Sequence, residues 1–145
     1  MVVAEFSGKL VFLDTSPLIY FIEGHSQYQQ KLKELFVLND KGNFRFVSSV
    51  ITLLEVLVKP LKEKENKIVD QYKTILTNAE GIDIFDITIP ITIKAAKLRA
   101  KYNIRTPDAL QVATAIEQRA EYFLTNDLRL KPVSEIKVLT LSELE

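Results

Sequence analysis

The sequence predicts an α/β fold with a mainly parallel sheet covered by helices on both faces. Three observations carry this expectation. Short apolar runs of strand length recur at Lys9 to Leu13, Phe44 to Val47, Ile82 to Ile87, Tyr122 to Thr125 and Ile136 to Leu139. Strands alternate with one or two helical patterns, the arrangement that builds parallel sheets buried on both sides. Finally, Asp14 and Asp127 stand where two of these strands end, and sites in such sheets form beyond the carboxyl ends of the strands.

Each element has a local reason. Lys9 to Leu13 is short and apolar enough for a buried strand. Thr15-Ser16-Pro17 then starts a helix, with Ser16 at the cap and Pro17 at the first helical position, and Gly24 ends it. A second helix is expected from Ser26 to Leu38, with Tyr28, Leu32, Leu35 and Phe36 on its apolar face, before Gly42-Asn43 breaks the chain. After the strand at Phe44 to Val47, Ser48 or Ser49 caps a third helix that stops near Pro60. The charged run Lys62 to Lys67 reads as the solvated start of a helix reaching Asn78. Gly81 ends it, and Ile82 to Ile87 alternates as a strand. Pro90 opens a helix to Tyr102, and Thr106 caps another from Pro107 to Ala120. The strands at Tyr122 to Thr125 and Ile136 to Leu139 follow, with a tail from Ser142 to Glu145.

Composition narrows the function. The 145 residues are expected to form one domain with a substantial core. Hydrophobic residues at 47% and charged residues at 26% fit a globular chain rather than a disordered one. Lys plus Arg equal Asp plus Glu at 19 each, so any grip on a polyanion must come from a local basic patch. Cysteine is absent, which excludes disulfides and thiolate metal sites and fits a reducing cytoplasm. No apolar run reaches membrane-spanning length, and Met1 to Phe6 lacks the pattern of a secretion signal.

Four acidic residues carry the chemical information. Taken singly, each has a structural explanation. Asp14 suits a helix cap, Asp108 a first turn favoured by the helix dipole, and Asp127 an Asn-Asp turn. Glu55 interrupts the otherwise apolar stretch Val50 to Val58; that helix should be largely buried, unless Glu55 emerges on a narrow solvent stripe with Thr52 and Lys59. A buried carboxylate needs a partner. One hard divalent cation, Mg²⁺ or Mn²⁺, explains all four acids at once and would serve phosphodiester hydrolysis. Three cations lie close in sequence. Arg105 precedes Asp108 by three residues, Arg129 follows Asp127 by two, and Lys59 is one helical turn past Glu55, so all are expected to bind substrate phosphate.

Together these segments resemble the PIN domain family, in particular VapC-like toxin ribonucleases. Val11-Phe12-Leu13-Asp14-Thr15-Ser16 is similar to the family's opening strand and first acid. Ser48 to Val56, Thr106 to Ala115 and Phe123 to Asp127 are similar to its three further acidic blocks. The resemblance spans nearly the whole chain. It implies a three-layer α/β/α fold with a five-stranded parallel sheet and a cytoplasmic, Mg²⁺- or Mn²⁺-dependent endoribonuclease. It implies a homodimer inhibited by an antitoxin protein. It also implies catalytic and metal-binding roles for Asp14, Glu55, Asp108 and Asp127, with Thr15, Ser16, Thr125 and Asn126 supporting them.

The alternatives are weaker. Haloacid-dehalogenase-type phosphatases resemble Asp-x-Asp-x-Thr, whereas this chain reads Asp14-Thr15-Ser16-Pro17, and a receiver domain needs an acidic pair at the same place. A non-catalytic RNA-binding or assembly module on the same fold is expected to lose acids, and here all four are kept. His25, the single histidine, lies in a Gly-His-Ser turn and reads as a surface residue. The apolar surplus in the first helices leaves Tyr20 or Phe21 as the expected dimer surface.

Overall fold

The computed structural model describes residues 3–144. Its strands are β1 (Leu10–Leu13), β2 (Arg45–Ser49), β3 (Ile82–Phe85), β4 (Tyr122–Thr125) and β5 (Lys137–Thr140). They form one five-stranded parallel sheet in the order β3-β2-β1-β4-β5. Six helices surround it: α1 (Thr15–Glu23), α2 (Gln29–Asp40), α3 (Val50–Lys62), α4 (Asn66–Thr77), α5 (Ile89–Tyr102) and α6 (Thr106–Glu117). Single 3₁₀ turns occupy Val3–Phe6, Leu128–Leu130 and Leu141–Glu143. The chain lays β2 and β3 on one side of β1 and then crosses back to place β4 on the other. The topological switch therefore falls between β1 and β4.

Strand periodicity explains the layers. Val11, Leu13, Phe46, Leu124 and Leu139 face one core with Leu18, Leu32, Leu35, Val56, Tyr72 and Leu76 from α1 to α4. Their sequence neighbours Phe12, Val47, Phe123 and Val138 face a second core built on α5 and α6. Successive strand side chains point to opposite faces, so a sheet buried on both sides needs unbroken apolar strands. In the second core Phe12 and Phe123 stack across β1 and β4 with ring centroids 5.0 Å apart. At the sheet's edge, Arg45 on β2 forms an exposed ion pair with Asp83 on β3 at 2.9 Å.

Several element boundaries differ from the sequence expectation. Asp14, not Ser16, caps α1, because its extended backbone lets the carboxylate accept the Thr15 N–H. The third helix stops near Pro60 as expected, but the proline does not end it: Pro60 is buried inside α3, which runs two residues further to Lys62. The charged run is a connection rather than a helix start: Glu63, Lys64 and Glu65 are exposed, Lys64 has φ 57°, and α4 begins at Asn66. Thr106 lies in the first turn of α6 with Arg105 at the cap position, and the Thr106 hydroxyl accepts a bond from Arg99. α3 is also less buried than its apolar sequence implies. Thr52, Val56 and Pro60 point inward, while Leu54, Val58 and Leu61 remain exposed on the opposite side. The expected tail at Ser142 to Glu145 is in part the last 3₁₀ turn; Glu145 lies outside the described residues.

Asn39 locks the rim of the sheet opposite the acidic residues. Its buried amide donates to the carbonyls of Phe44 at 3.1 Å and Gly81 at 2.9 Å, joining the end of α2 to the starts of β2 and β3. Gly81 has φ +86°, and an added Cβ would meet the Asn39 amide at 3.0 Å, so glycine permits this close approach. Asn39→Ala removes the amide from both carbonyls, although Gly81 keeps the Phe46 N–H at 2.8 Å, and should cost about 1–3 kcal/mol in denaturant unfolding. A loss below about 0.5 kcal/mol would show that the amide does not hold this rim.

Candidate functional site

β1 and β4 bring the first and last acids together. The Asp14 N–H donates to the Leu124 carbonyl at 3.1 Å, which extends the β1–β4 pairing by one residue. That bond turns the Asp14 side chain into the seam between the strands, where it is 7% exposed. Its Oδ2 accepts the Thr125 hydroxyl at 2.7 Å and its Oδ1 accepts the Thr15 N–H at 2.9 Å. Gln111 Nε2 stands 3.4 Å from the same Oδ1. Burial nevertheless pushes the Asp14 carboxyl up from 3.8 to about 6; the bonds from Thr125 and Thr15 oppose that rise, and the charges of Asp108 and Glu55 add to it.

The other acids are held from around this centre. Glu55, half-buried on α3, accepts the Thr15 hydroxyl at 2.7 Å. Thr15 thus supports Asp14 through its backbone and Glu55 through its side chain. Asp108, in the first turn of α6, accepts Arg105 Nε at 3.0 Å. Asp127 receives both ends of the Arg129 fork, at 2.9 Å and 2.7 Å, and Arg129 holds its carboxyl below the usual range. The Asp127 N–H donates to the Thr125 hydroxyl at 3.0 Å, so Thr125 links the two acids. Asn126 Nδ2 donates to the Tyr20 hydroxyl at 3.1 Å, and Ser16 is half-buried in the first turn of α1. Arg105, Asp108 and Arg129 line a cleft of about 330 Å³. Lys59 does not join them. It is exposed in the last turn of α3, with Glu65 as a neighbouring charge, and makes no ion pair with the four acids among the described residues.

Sequence reasoning missed a buried polar network behind Asp14. Gln111 Nε2 donates to Thr52 Oγ1 at 2.6 Å, and the Ser49 hydroxyl donates to Gln111 Oε1. Ser49 also accepts the Ile51 N–H at 3.1 Å, which ties the network to the cap of α3. The available signal was Gln111 itself. It sits one turn after Asp108, on the same helical face, amid Ala109, Val112 and Ala113. A buried amide there requires partners.

The donor set fits a hard divalent cation in its chemistry. Its side chains offer oxygen only, and one carboxylate is buried where ionisation is opposed. Among the described residues, however, no three acidic or imidazole side chains converge into a finished cage.

Residues 11–136 match the family model of the PIN domain. The chain belongs to the PIN domain family. Solved structures share this PIN fold. VapBC2 from Rickettsia felis, bound to a DNA fragment from its promoter, aligns with TM-score 0.69 and 21% identity over 90% of this chain and 98% of that one. A toxin-antitoxin complex from Klebsiella pneumoniae aligns with TM-score 0.67 and 24% identity, covering 91% and 97%. The sarcin-ricin loop cleaving toxin VapC20 from Mycobacterium tuberculosis aligns with TM-score 0.65 and 13% identity, covering 78% and 86%. Comparison with the curated proteins finds no match. No helix among the described residues of this PIN domain is long and apolar enough to cross a membrane.

Asp14 generates a pH prediction. Its folded carboxyl, at about 6, binds a proton more tightly than the ordinary 3.8, so the folded state holds extra protons between these values. The resulting stability is fully present below about pH 4 and is lost as pH rises through about 6. In chelator, the unfolding free energy of the parent relative to Asp14→Asn should fall by about 1–3 kcal/mol from pH 4 to 7. A flat difference would place Asp14 in a more solvated setting.

Proposed function

We propose that this PIN domain is a divalent-cation-dependent endoribonuclease acting as the toxin of a toxin-antitoxin pair. One observation carries the reading: a buried Asp14 at the switch point, close enough to Asp108 and Glu55 for their charges to oppose its ionisation. Like charges gathered in this way favour a cation. Mg²⁺ or Mn²⁺ bound by Asp14 with Glu55, Asp108 and Asp127 would neutralise phosphate charge and supply an activated water. The protein's own groups do the positioning. Thr125 and the Thr15 backbone fix Asp14, the Thr15 hydroxyl orients Glu55, and Thr125 anchors the turn carrying Asp127. Arg105 and Arg129 line the cleft beside the acids and would grip RNA phosphates. Lys59 points to no such role. RNA as substrate is supported by VapC20, a sarcin-ricin loop cleaving toxin, and an antitoxin partner by the two complexes.

Cleavage of an RNA panel in Mg²⁺ and Mn²⁺ tests the activity. Asp108→Asn should reduce it at least about a hundredfold. Its stability should change by about 1 kcal/mol or less, the scale of a helix-dipole contact and an exposed ion pair. Asp14→Asn should abolish or strongly weaken Mn²⁺ binding in calorimetry. An intact panel with the parent protein would favour an RNA-binding or assembly module on the same fold.

A homodimer is part of the proposal, on a different surface from the one the sequence indicated. Phe21 stacks on Phe36 with centroids 3.9 Å apart, and Tyr20 packs with His25 and Tyr28, so both are engaged within the chain. Exposed apolar side chains include Leu54, Val58 and Leu61 on α3 and Ile89 and Ile93 on α5, besides Val37 and Leu128. Light scattering at micromolar concentration should give a dimer mass for the parent and a monomer for Val58→Glu. A monomeric parent would remove this part of the proposal.

A further inference from the structure

Two arginines occupy the outer half of the acidic site. Arg129 engages both oxygens of Asp127, and Arg105 engages one oxygen of Asp108. The pairs are close enough to sense each other: Arg105 helps hold the Asp127 carboxyl low, and Asp108 helps hold the Arg129 charge. Their exposure is asymmetric. The Arg129 side chain is 66% exposed over an Asp127 at 19%, and Arg105 is 61% exposed over an Asp108 at 14%. Each carboxylate is thus set into the protein, while its guanidinium sits on a long stem at the cleft mouth. The arginine can leave without unpacking any core.

A fork bonded to both oxygens of Asp127 competes with any cation for those oxygens, and its positive charge repels that cation. Once detached, the same fork matches a phosphate. We propose that Arg129 is a latch, closed on Asp127 in the cation-free protein and transferred to an RNA phosphate when a divalent cation takes the carboxylate. The proposal rests on the cation site put forward above. It assigns that site a regulation: cation and RNA each release what the other needs. Their binding is therefore coupled, and the coupling is reciprocal.

Removing Arg129 should move the two ligands in opposite directions. A residue that merely braced the Asp127 turn would weaken both when lost. The experiment is Mn²⁺ calorimetry on the full chain, with and without a short phosphorothioate-linked RNA verified intact by electrophoresis. Arg129→Ala should bind Mn²⁺ about three- to tenfold more tightly than the parent without RNA, the scale of one lost exposed charge pair. It should bind the RNA more weakly, and RNA should no longer tighten Mn²⁺ binding. Arg129→Gln, which keeps a polar contact to Asp127 without the charge, should shift both ligands in the same senses and guards against a folding defect in the alanine variant. If the parent binds Mn²⁺ and both variants bind it equally or more weakly, the latch is overturned while the cation site stands. A parent that binds no Mn²⁺ overturns the site itself and the latch with it.

Discussion

The pairing of β1 with β4 is the constraint on which the rest of the site depends. The chain reaches β4 only after building the β2–β3 side of the sheet and crossing back over it. The register that sets Phe12 beside Phe123 sets Leu13 beside Leu124, and the next ladder bond is donated by Asp14 itself. A shift of one residue would turn every side chain of β1 to the wrong core. The aromatic stack in one layer and the acid at the strand end are therefore specified by the same alignment. Thr125, the last residue of β4, then stands where its hydroxyl reaches Asp14 and accepts from Asp127.

Ionisation of the buried Asp14 is opposed by desolvation and by like charge, and favoured by two donors, the Thr125 hydroxyl and the Thr15 N–H. Those donors do not win, since the carboxyl ends up at about 6. Behind it, Gln111, Thr52 and Ser49 satisfy one another, so α6 and α3 meet through hydrogen bonds rather than apolar contact at this point. A network of this kind tolerates little change, because losing one member leaves the others buried and unpaired.

The strands and the positions of the acids were legible because their signals are local. Each strand is a short run whose alternate residues belong to opposite cores, and Asp14 and Asp127 sit at strand ends in the bare sequence. The pairing of Arg105 with Asp108 and of Arg129 with Asp127 follows spacings of three and two residues, which chain geometry makes adjacent. Lys59 stands four residues from Glu55 by similar arithmetic, yet Glu55 is engaged by the Thr15 hydroxyl and Lys59 has Glu65 as a neighbouring charge. The Gln111 network was not legible as a whole, because its members come from three separate elements; Gln111 amid apolar neighbours was the one local sign of it. The start of α1 was misplaced because Asp14 serves as cap as well as acid. The exposure of Leu54, Val58 and Leu61 was missed because periodicity cannot show which apolar face has a neighbour.

Among the described residues no strand adds to either edge of the sheet, and open edges invite another strand to add. Here each edge strand is only four residues long and carries a charge. On β3 that charge is Asp83, clamped by Arg45; on β5 it is the exposed Lys137. Continuing the ladder from either side would crowd or desolvate one of these groups, which works against polymerisation. Backbone addition at either edge is thereby disfavoured. The homodimer proposed above would meet through its helical layers, a finite, closed contact rather than an endless fibre.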